Sequence, residues 1–195
     1  MNGVKPNILI QLGLTPFTPT CRKPQNYFLK AYSTKGVNMN WQQICENLDF
    51  RDLPYKIELS ERGQILMSPA GLAHGAYQSE IVKKMAEFMS EGRIVTECTI
   101  RTVKGTKVAD VAWFGSARWE QVKNEYDSPV SPEICVEILS HANTGAEMKM
   151  KRKLYFSHGA EEVWICDENG AMTFHNPKGK IGKSRLVPGF PKRIA

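Results

Sequence analysis

The chain has 195 residues and a mass of 22.0 kDa, and 42% of its residues are hydrophobic and 24% are charged. This length is typical of one domain, and the composition excludes a mainly disordered chain, a collagen-like repeat and a coiled coil. No stretch of about 18 apolar residues occurs, so no membrane-spanning helix is predicted. The five cysteines are widely spaced, odd in number and without a Cys-x-x-Cys pair. They therefore predict a reducing, cytoplasmic setting rather than a disulfide framework.

The net charge of +6 is unevenly distributed along the chain. Residues 1–38 hold five basic residues and no acid, and residues 176–195 hold six basic residues and no acid. The middle of the chain, residues 39–175, holds fifteen basic residues against twenty acids and is therefore acidic. Basic ends of this kind either contact a polyanion such as nucleic acid or are solvated tails, and the sequence leaves both interpretations open.

The segment 1–38 has no regular periodicity and contains four prolines. Its apolar run from Ile8 to Leu14 is interrupted by a glutamine and lacks a cleavage site after it, so a secretory signal is not predicted. Met39 opens a segment that resembles an ordinary amino terminus. We therefore expect residues 1–38 to be an extension, either disordered or derived from an upstream start, and residues 39–195 to form a single domain.

The first half of the regular region predicts a short helix, a hairpin and a longer helix. The short helix is expected at Trp41–Asn47, and the strands Tyr55–Leu59 and Gln64–Ser68 are expected to pair about a Glu-Arg-Gly turn. Leu72–Ser90 carries apolar residues at helical spacing, which predicts a helix with one buried face that Gly92 terminates. The predicted buried stripe consists of Tyr77, Ile81, Met85 and Phe88.

Strands dominate the second half. The expected strands are Ile94–Arg101, Lys107–Phe114 and Ile134–Leu139. A short helix is expected between the last two strands, at Ser116–Glu125. Thr144–Glu147 has the sequence of a capping box, which predicts a helix from there to about Ser157. A closing hairpin is expected from Glu162–Cys166 and Met172–His175. This order of elements predicts an α/β or α+β sandwich.

Asp110 and Glu137 lie inside segments whose other residues are typical of buried strands. The alternation along a strand places Glu137 on one face with Cys135 and Leu139. An unpaired buried carboxylate costs several kcal/mol, so each acid needs a cation, a set of hydrogen-bond donors or a raised pKa. A hard divalent cation such as Mg²⁺ is one natural compensation. The alternatives are an ordinary ion pair or a strand end open to solvent, and they are the commoner outcome for either acid alone.

Lys151 and His74 are the other candidate site residues. Lys151 shares a helical stripe with Met148 and Tyr155, from which its ammonium group would reach a phosphate or a nucleophilic water. The spacing alone favours a snorkelling side chain or an ion pair with Glu147 instead. His74 would hydrogen-bond a site carboxylate or transfer a proton, although a lone histidine there is more often a boundary residue. Two weaker candidates on the same helix are Gln78 and Glu80.

Five ordered motifs follow one another along the chain. They are Gly63–Ala70 followed by His74, Val108–Trp113, Pro132–Ser140, Lys151–Tyr155 and Gly159–Asp167. Together they resemble the Uma2 family of restriction endonucleases, which belongs to the PD-(D/E)XK nuclease-like superfamily. The resemblance covers the chain from about Trp41 to the carboxyl terminus. It implies a restriction-endonuclease-like fold, in which a central mixed β-sheet is flanked by helices.

The resemblance also implies roles for the candidate residues. Asp110 corresponds to the first acid of the superfamily motif and Glu137 to the second, whereas Leu139 stands where the motif has its lysine. In this family the lysine has moved to the following helix, which implies Lys151. Proline of the family pattern is replaced at two positions, Ala109 and His141.

The resulting hypothesis is a metal-dependent endonuclease that hydrolyses phosphodiester bonds of DNA. Asp110 and Glu137 would bind Mg²⁺ or Mn²⁺. Lys151 would orient the attacking water or stabilise charge on the phosphate oxygens, and His74 would support the site. A homodimer would supply the two sites needed to cut both strands, but nothing in the sequence defines its interface. The alternatives are an inactive nucleic-acid- or protein-binding module with the same fold, or a protein in which both acids are structural and assembly is the function.

Overall fold

The computed structural model describes residues 39–69, 71–140 and 143–194. The predicted extension 1–38 and His141 lie outside the described residues. In the described ranges the helices are α1 (Trp41–Glu46), α2 (Leu72–Phe88), α3 (Ser116–Val122) and α4 (Gly145–Ser157). The strands are β1 (Tyr55–Leu59), β2 (Ile65–Pro69), β3 (Arg93–Thr102), β4 (Gly105–Phe114), β5 (Ile134–Ile138), β6 (Glu162–Cys166), β7 (Met172–Asn176) and β8 (Gly179–Ile181).

The strands form a six-stranded mixed sheet and a separate hairpin. The sheet has the order β3-β4-β5-β6-β7-β8, in which β5 and β6 are parallel and every other neighbouring pair is antiparallel. The hairpin pairs β1 with β2. A mixed sheet with helices confirms the predicted α+β fold class. None of the helices in the described part of the chain is long and apolar enough to cross a membrane.

Helices cover both faces of the sheet. One face packs against α2 and the segment that follows β8, and its core includes Ile81, Met85, Val136, Trp164 and Phe190. The other face packs against α3 and α4, and its core includes Val122, Cys135, Tyr155 and Val163. Alternate residues of β5 therefore point into different layers, as the strand periodicity predicted.

The β1–β2 hairpin lies against β4 rather than inside the large sheet. Its contact is a small apolar cluster, in which Leu59 and Ile65 of the hairpin meet Val108 of β4 and the α1 side chains Trp41 and Ile44. This packing brings the side chains of β1 next to the middle of β4. Side chains of the hairpin therefore line one side of the region around Asp110.

Two predictions about α2 are wrong at its carboxyl end. The helix ends at Phe88 with Met89 as its C-cap residue, so Gly92 does not terminate it. Gly92 has a φ of +83° and turns the chain into β3, where a Cβ atom would lie 2.3 Å from the carbonyl oxygen of Phe114. Phe88 is 49% exposed, so it does not belong to the buried face of the helix that Ile81 and Met85 form.

The segment after β7 is part of the folded domain. Val187, Phe190 and Ile194 are buried in the core, and the backbone N–H of Ile194 donates to the carbonyl oxygen of Gly170 at 2.8 Å. The interpretation of residues 176–195 as a solvated tail is therefore wrong for the part that the structure describes, which ends at residue 194. Its basic side chains are exposed on a structured surface.

Candidate functional site

The two predicted acids are neighbours at the point where β4 and β5 separate. The antiparallel pairing of these strands ends at Val111 and Val136, and Asp110 and Glu137 are the next residues beyond that pair. Instead of a further backbone bond, the Asp110 Oδ2 atom accepts the backbone N–H of Ile138 at 2.6 Å. The two carboxyl groups therefore occupy matching positions on adjacent strands.

Asp110 also lies at a gap in the pairing between β3 and β4. The pairing omits Glu97 opposite Asp110, although it continues on both sides with unchanged register. Glu97 has a φ of +50°, which is uncommon for a residue with a side chain. The Gln78 side-chain amide donates to the free Asp110 carbonyl oxygen at 2.7 Å and to Glu97 Oε1 at 3.0 Å. Backbone in a sparsely populated conformation beside buried polar groups is typical of functional sites.

Two basic side chains meet one oxygen of Asp110. The Lys56 Nζ atom lies 2.5 Å from Asp110 Oδ1, and the His74 Nε2 atom lies 3.1 Å from the same oxygen. Burial alone would raise the pKa of Asp110, but the nearby Lys56 ammonium and the His74 imidazole hold it well below its usual range. The hydrogen bond to Asp110 raises the pKa of His74 more than burial lowers it. Asp110 is therefore an ionised carboxylate in a buried position.

Glu137 is held by two side chains of α4. The Tyr155 hydroxyl donates to Glu137 Oε1 at 2.5 Å, and the Lys151 ammonium donates to Oε2 at 3.0 Å. Burial raises the pKa of Glu137, and the charges of Lys151 and Lys56 offset only part of that effect. The Lys151 side chain is 5% exposed, so it neither snorkels to solvent nor pairs with Glu147, which instead forms the capping box with Thr144.

A third acid, Glu58 of β1, also holds Lys151. Its Oε1 atom lies 2.7 Å from Lys151 Nζ and accepts the backbone N–H of Val108 at 3.2 Å. Burial raises the pKa of Glu58, but the charges of Lys151 and Lys56 together lower it by more, so the pKa is below its usual value. Burial likewise lowers the pKa of Lys151, but the two acids that flank it raise it overall. The two carboxyl groups therefore favour the charged form of Lys151, which lies between them.

The structure brings all four predicted site residues into one region, in two linked groups. His74 joins Asp110, and Lys151 joins Glu137. Of the weaker candidates, Gln78 joins the site, whereas Glu80 lies 3.5 Å from Lys83 on its own helix. The sequence interpretation missed the site contributions of four residues, which are Lys56, Glu58, Glu97 and Tyr155. Lys56 and Glu58 are two residues apart on β1 and therefore lie on the same face of the strand. This spacing was the signal in the sequence that both side chains could form ion pairs at one site.

The donor set around Asp110 fits a divalent cation. Ligand-type atoms of His74, Glu97 and Asp110 lie within 4.8 Å of one another. Carboxylate oxygens suit Mg²⁺ and Mn²⁺, and an imidazole nitrogen favours the transition metals. The Lys56 ammonium already places a positive charge beside this group, at Asp110 Oδ1. Glu137, the other predicted metal ligand, lies outside this group of three, and its two oxygens face Tyr155 and Lys151.

Comparisons with known proteins identify the fold and the family of the chain. The fold is similar to the crystal structure of a putative nuclease belonging to DUF820 from Anabaena variabilis ATCC 29413, with a TM-score of 0.55 and 21% sequence identity over 63% of this chain and 72% of that chain. No curated protein matches the chain. Residues 45–189 match the sequence profile of the Uma2 family, whose description reads "Putative restriction endonuclease". The chain therefore belongs to the Uma2 family and has its restriction-endonuclease-like nuclease fold.

Proposed function

We propose that residues 39–195 form a single nuclease domain that hydrolyses phosphodiester bonds of DNA with a divalent metal ion. The observation that carries this proposal is the position of Asp110 and Glu137 on adjacent strands, with the Lys151 ammonium 3.0 Å from Glu137. Burial of charged side chains carries a desolvation cost that their pairing often does not repay, and such groups cluster at functional sites. Membership of the Uma2 family supports a nuclease rather than another use of this arrangement.

The proposed metal ligands centre on Asp110. Asp110 is ionised and buried, and His74 and Glu97 provide two further ligand atoms beside it. When bound, Mg²⁺ or Mn²⁺ would polarise the scissile phosphate and lower the pKa of an attacking water. The prediction that Glu137 also binds the ion requires one of its oxygens to give up Lys151 or Tyr155, and it stays a prediction.

Lys151 is the proposed electrostatic residue for the phosphate. Two carboxyl groups fix its ammonium at 2.7 Å and 3.0 Å, so the charge is oriented before substrate arrives. A preorganised charge of this kind stabilises negative charge that develops on phosphate oxygens without reorganisation during the reaction. Glu137 is a positioning residue because it accepts a hydrogen bond from the Lys151 ammonium. Tyr155 is also a positioning residue, because its hydroxyl holds Glu137 in place.

The proposed substrate is DNA, because the family's description names restriction endonucleases and a structured surface of the chain is basic. Residues 176–194 carry exposed lysine and arginine side chains that would offset the repulsion between phosphates and the acidic middle of the chain.

A homodimer would supply two sites for cutting both strands. The free thiols of Cys45, Cys98, Cys135 and Cys166 agree with a cytoplasmic location.

A nicking assay on supercoiled plasmid tests the proposal. The wild-type chain should convert the plasmid to open-circular and linear forms with Mg²⁺ or Mn²⁺ and should lose this activity in EDTA. Asp110→Asn and Lys151→Met should abolish cleavage, whereas Lys153→Met, an exposed lysine on the same helix, should retain it. Cleavage that survives Asp110→Asn would assign the activity to a contaminant or to another site.

One observation favours a second candidate, a nucleic-acid-binding module that does not cleave. Each acid already has a lysine partner, Asp110 with Lys56 and Glu137 with Lys151, so the charges are compensated without a metal. Salt-sensitive DNA binding without cleavage in either metal would establish this candidate. Binding of Mn²⁺ that Asp110→Asn removes would argue against it.

A further inference from the structure

We propose that the Lys56 ammonium is a resident counter-ion that occupies the metal position on Asp110 and leaves when a metal ion enters. This inference rests on the metal site proposed above. Lys56 belongs to the hairpin that covers β4, and its Nζ atom lies 2.5 Å from Asp110 Oδ1. The same oxygen faces His74 Nε2 at 3.1 Å and belongs to the candidate ligand group of His74, Glu97 and Asp110.

Both oxygens of Asp110 have partners in the structure. Oδ1 faces Lys56 and His74, and Oδ2 accepts the backbone N–H of Ile138 at 2.6 Å. A magnesium-like ion binds a carboxylate oxygen at about 2.0–2.1 Å. An ammonium at hydrogen-bond distance from Oδ1 stands in the space that such an ion would fill, and the two positive charges repel each other. Metal binding to Asp110 and the Lys56 contact therefore exclude each other.

Lys56 is held less tightly than Lys151, although the charges of Glu137 and Glu58, as well as that of Asp110, attract its ammonium. The Lys56 side chain is 18% exposed, and its ammonium forms its ion pair with Asp110. The Lys151 side chain is 5% exposed and lies between Glu58 and Glu137 at 2.7 Å and 3.0 Å. A lysine side chain has a flexible four-carbon stem, so the ammonium of Lys56 reaches solvent by changing rotamers while β1 stays in place.

If Lys56 and the metal exchange in this way, removal of Lys56 should have two opposite effects, one on thermal stability without metal and one on metal affinity. Without metal, Lys56 compensates the buried Asp110 charge, so its removal should lower the melting temperature. With metal, Lys56 competes for Asp110, so its removal should raise the apparent affinity, since that affinity scales with the fraction of molecules whose site is open. A lysine with a purely structural role would show the first effect without the second.

Isothermal titration of the full chain with Mn²⁺ tests this inference. Lys56→Met should bind Mn²⁺ about tenfold more tightly than the wild type or better. It should melt at a lower temperature in EDTA, and Mn²⁺ should raise that temperature more than it does for the wild type. Lys107→Met is the matched control, because it removes the same charge from a buried lysine that lies 3.9 Å from Glu58 and does not contact Asp110. If Lys56→Met does not fold, Lys56→Gln removes the charge and keeps a hydrogen-bond donor.

The outcomes separate this inference from the proposed function. Equal Mn²⁺ affinity in the wild type and the Lys56 variant, with binding abolished in Asp110→Asn, would overturn the exchange and leave the metal site standing. An equal gain in the Lys107 control would also overturn it, because the effect would then come from net charge. Absence of Mn²⁺ binding in the wild type and in both Lys56 variants would overturn the metal site and the exchange together. A gain confined to Lys56 supports the exchange, whether or not plasmid cleavage is detected.

Discussion

Lys151 is the residue on which the buried charges of the site depend most. Its ammonium is the shared partner of Glu58 and Glu137, and all three side chains are largely buried. Removal of one partner of a buried ion pair leaves an uncompensated charge, which is usually more damaging than removal of the whole pair. The stability of the domain and the geometry of the site therefore rest on the same ammonium group.

The substitution Lys151→Met should lower the free energy of unfolding by about 3–5 kcal/mol, because two carboxyl groups are deprived of their cation while they stay buried. Urea unfolding at neutral pH in EDTA measures this change. Lys153→Met on the exposed side of α4 should change the free energy of unfolding by less than about 0.5 kcal/mol.

The double variant Lys151→Met with Glu137→Gln isolates the cause. It should recover part of the missing stability, because a neutral amide replaces one of the stranded charges and still accepts the Tyr155 hydroxyl. If the single variant is destabilised by less than about 1 kcal/mol, or if the double variant is less stable than the single, the buried ammonium is not the main compensation for these acids.

At the scale of elements, the β1–β2 hairpin decides whether the site is complete. It contributes Lys56 and Glu58, and it packs on the domain through its apolar cluster and through a close approach to the β3–β4 turn. Gly105 lies at that turn with a φ of +86°, and a Cβ atom there would lie 2.1 Å from the carbonyl oxygen of Leu59. The small size of Gly105 therefore sets how closely the hairpin approaches β4.

Gly105→Ala should destabilise the domain by more than about 1 kcal/mol, because the new methyl group meets the backbone of the hairpin and the positive φ is strained. Gly145→Ala is the matched control, since no atom lies within 4 Å of the added methyl group at the start of α4. The control should stabilise the domain by about 0.4–1 kcal/mol. Thermal unfolding of both variants measures the difference, and equal stability of the two would show that the approach at Gly105 is not restrictive.

The elements followed from the sequence more completely than their contacts did. Helix and strand periodicity depends on neighbouring residues, which is why β4, β5 and α4 agree with prediction within one or two residues. Asp110 and Glu137 were recognisable because an acid inside an apolar strand is an anomaly. Lys56 and Glu58 were not, because charged residues on a hairpin strand usually face solvent, and only the packing of β1 on β4 buries them.

The gap at Glu97 could not be predicted for a related reason. Its left-handed backbone lies beside the tertiary contacts that Gln78 makes with Glu97 and Asp110, and the local sequence Val-Thr-Glu-Cys is ordinary for a strand. The hydrogen bond of Tyr155 to Glu137 could not be predicted for another reason, since an aromatic residue in a helical stripe usually indicates core packing alone. Tyr155 does pack in the core, but its hydroxyl also donates to Glu137 at 2.5 Å.

At the scale of the whole molecule, charge is separated between the site and the last segment of the chain. The site gathers acids on β1, β3, β4 and β5, whereas residues 176–194 contain no acid. This segment includes β8 at the edge of the large sheet, and its buried side chains hold it against the core. A fixed basic surface at one edge of a domain whose residues 39–175 are net acidic orients the approach of a polyanion by electrostatic attraction.

The triple variant Lys178→Gln, Lys180→Gln and Lys183→Gln tests this surface. If the three lysines neutralise phosphates, affinity for duplex DNA should fall. The slope of log affinity against log salt should also become shallower by about 0.9 for each phosphate that the variant no longer neutralises. Fluorescence anisotropy with a labelled duplex at several salt concentrations, in EDTA to prevent cleavage, measures both quantities.

The control for net charge is the triple variant Lys83→Gln, Lys84→Gln and Lys123→Gln. These lysines lie on α2 or at the end of α3, and each is within 3.5 Å of a glutamate on its own helix. The control removes the same total charge, and its salt slope should stay close to that of the wild type because these lysines do not neutralise phosphates. An equal change of slope in both triple variants would mean that DNA responds to the net charge of the molecule. The edge at β8 would then not be the DNA-binding surface, and the approach of DNA to the acids would need another source of attraction.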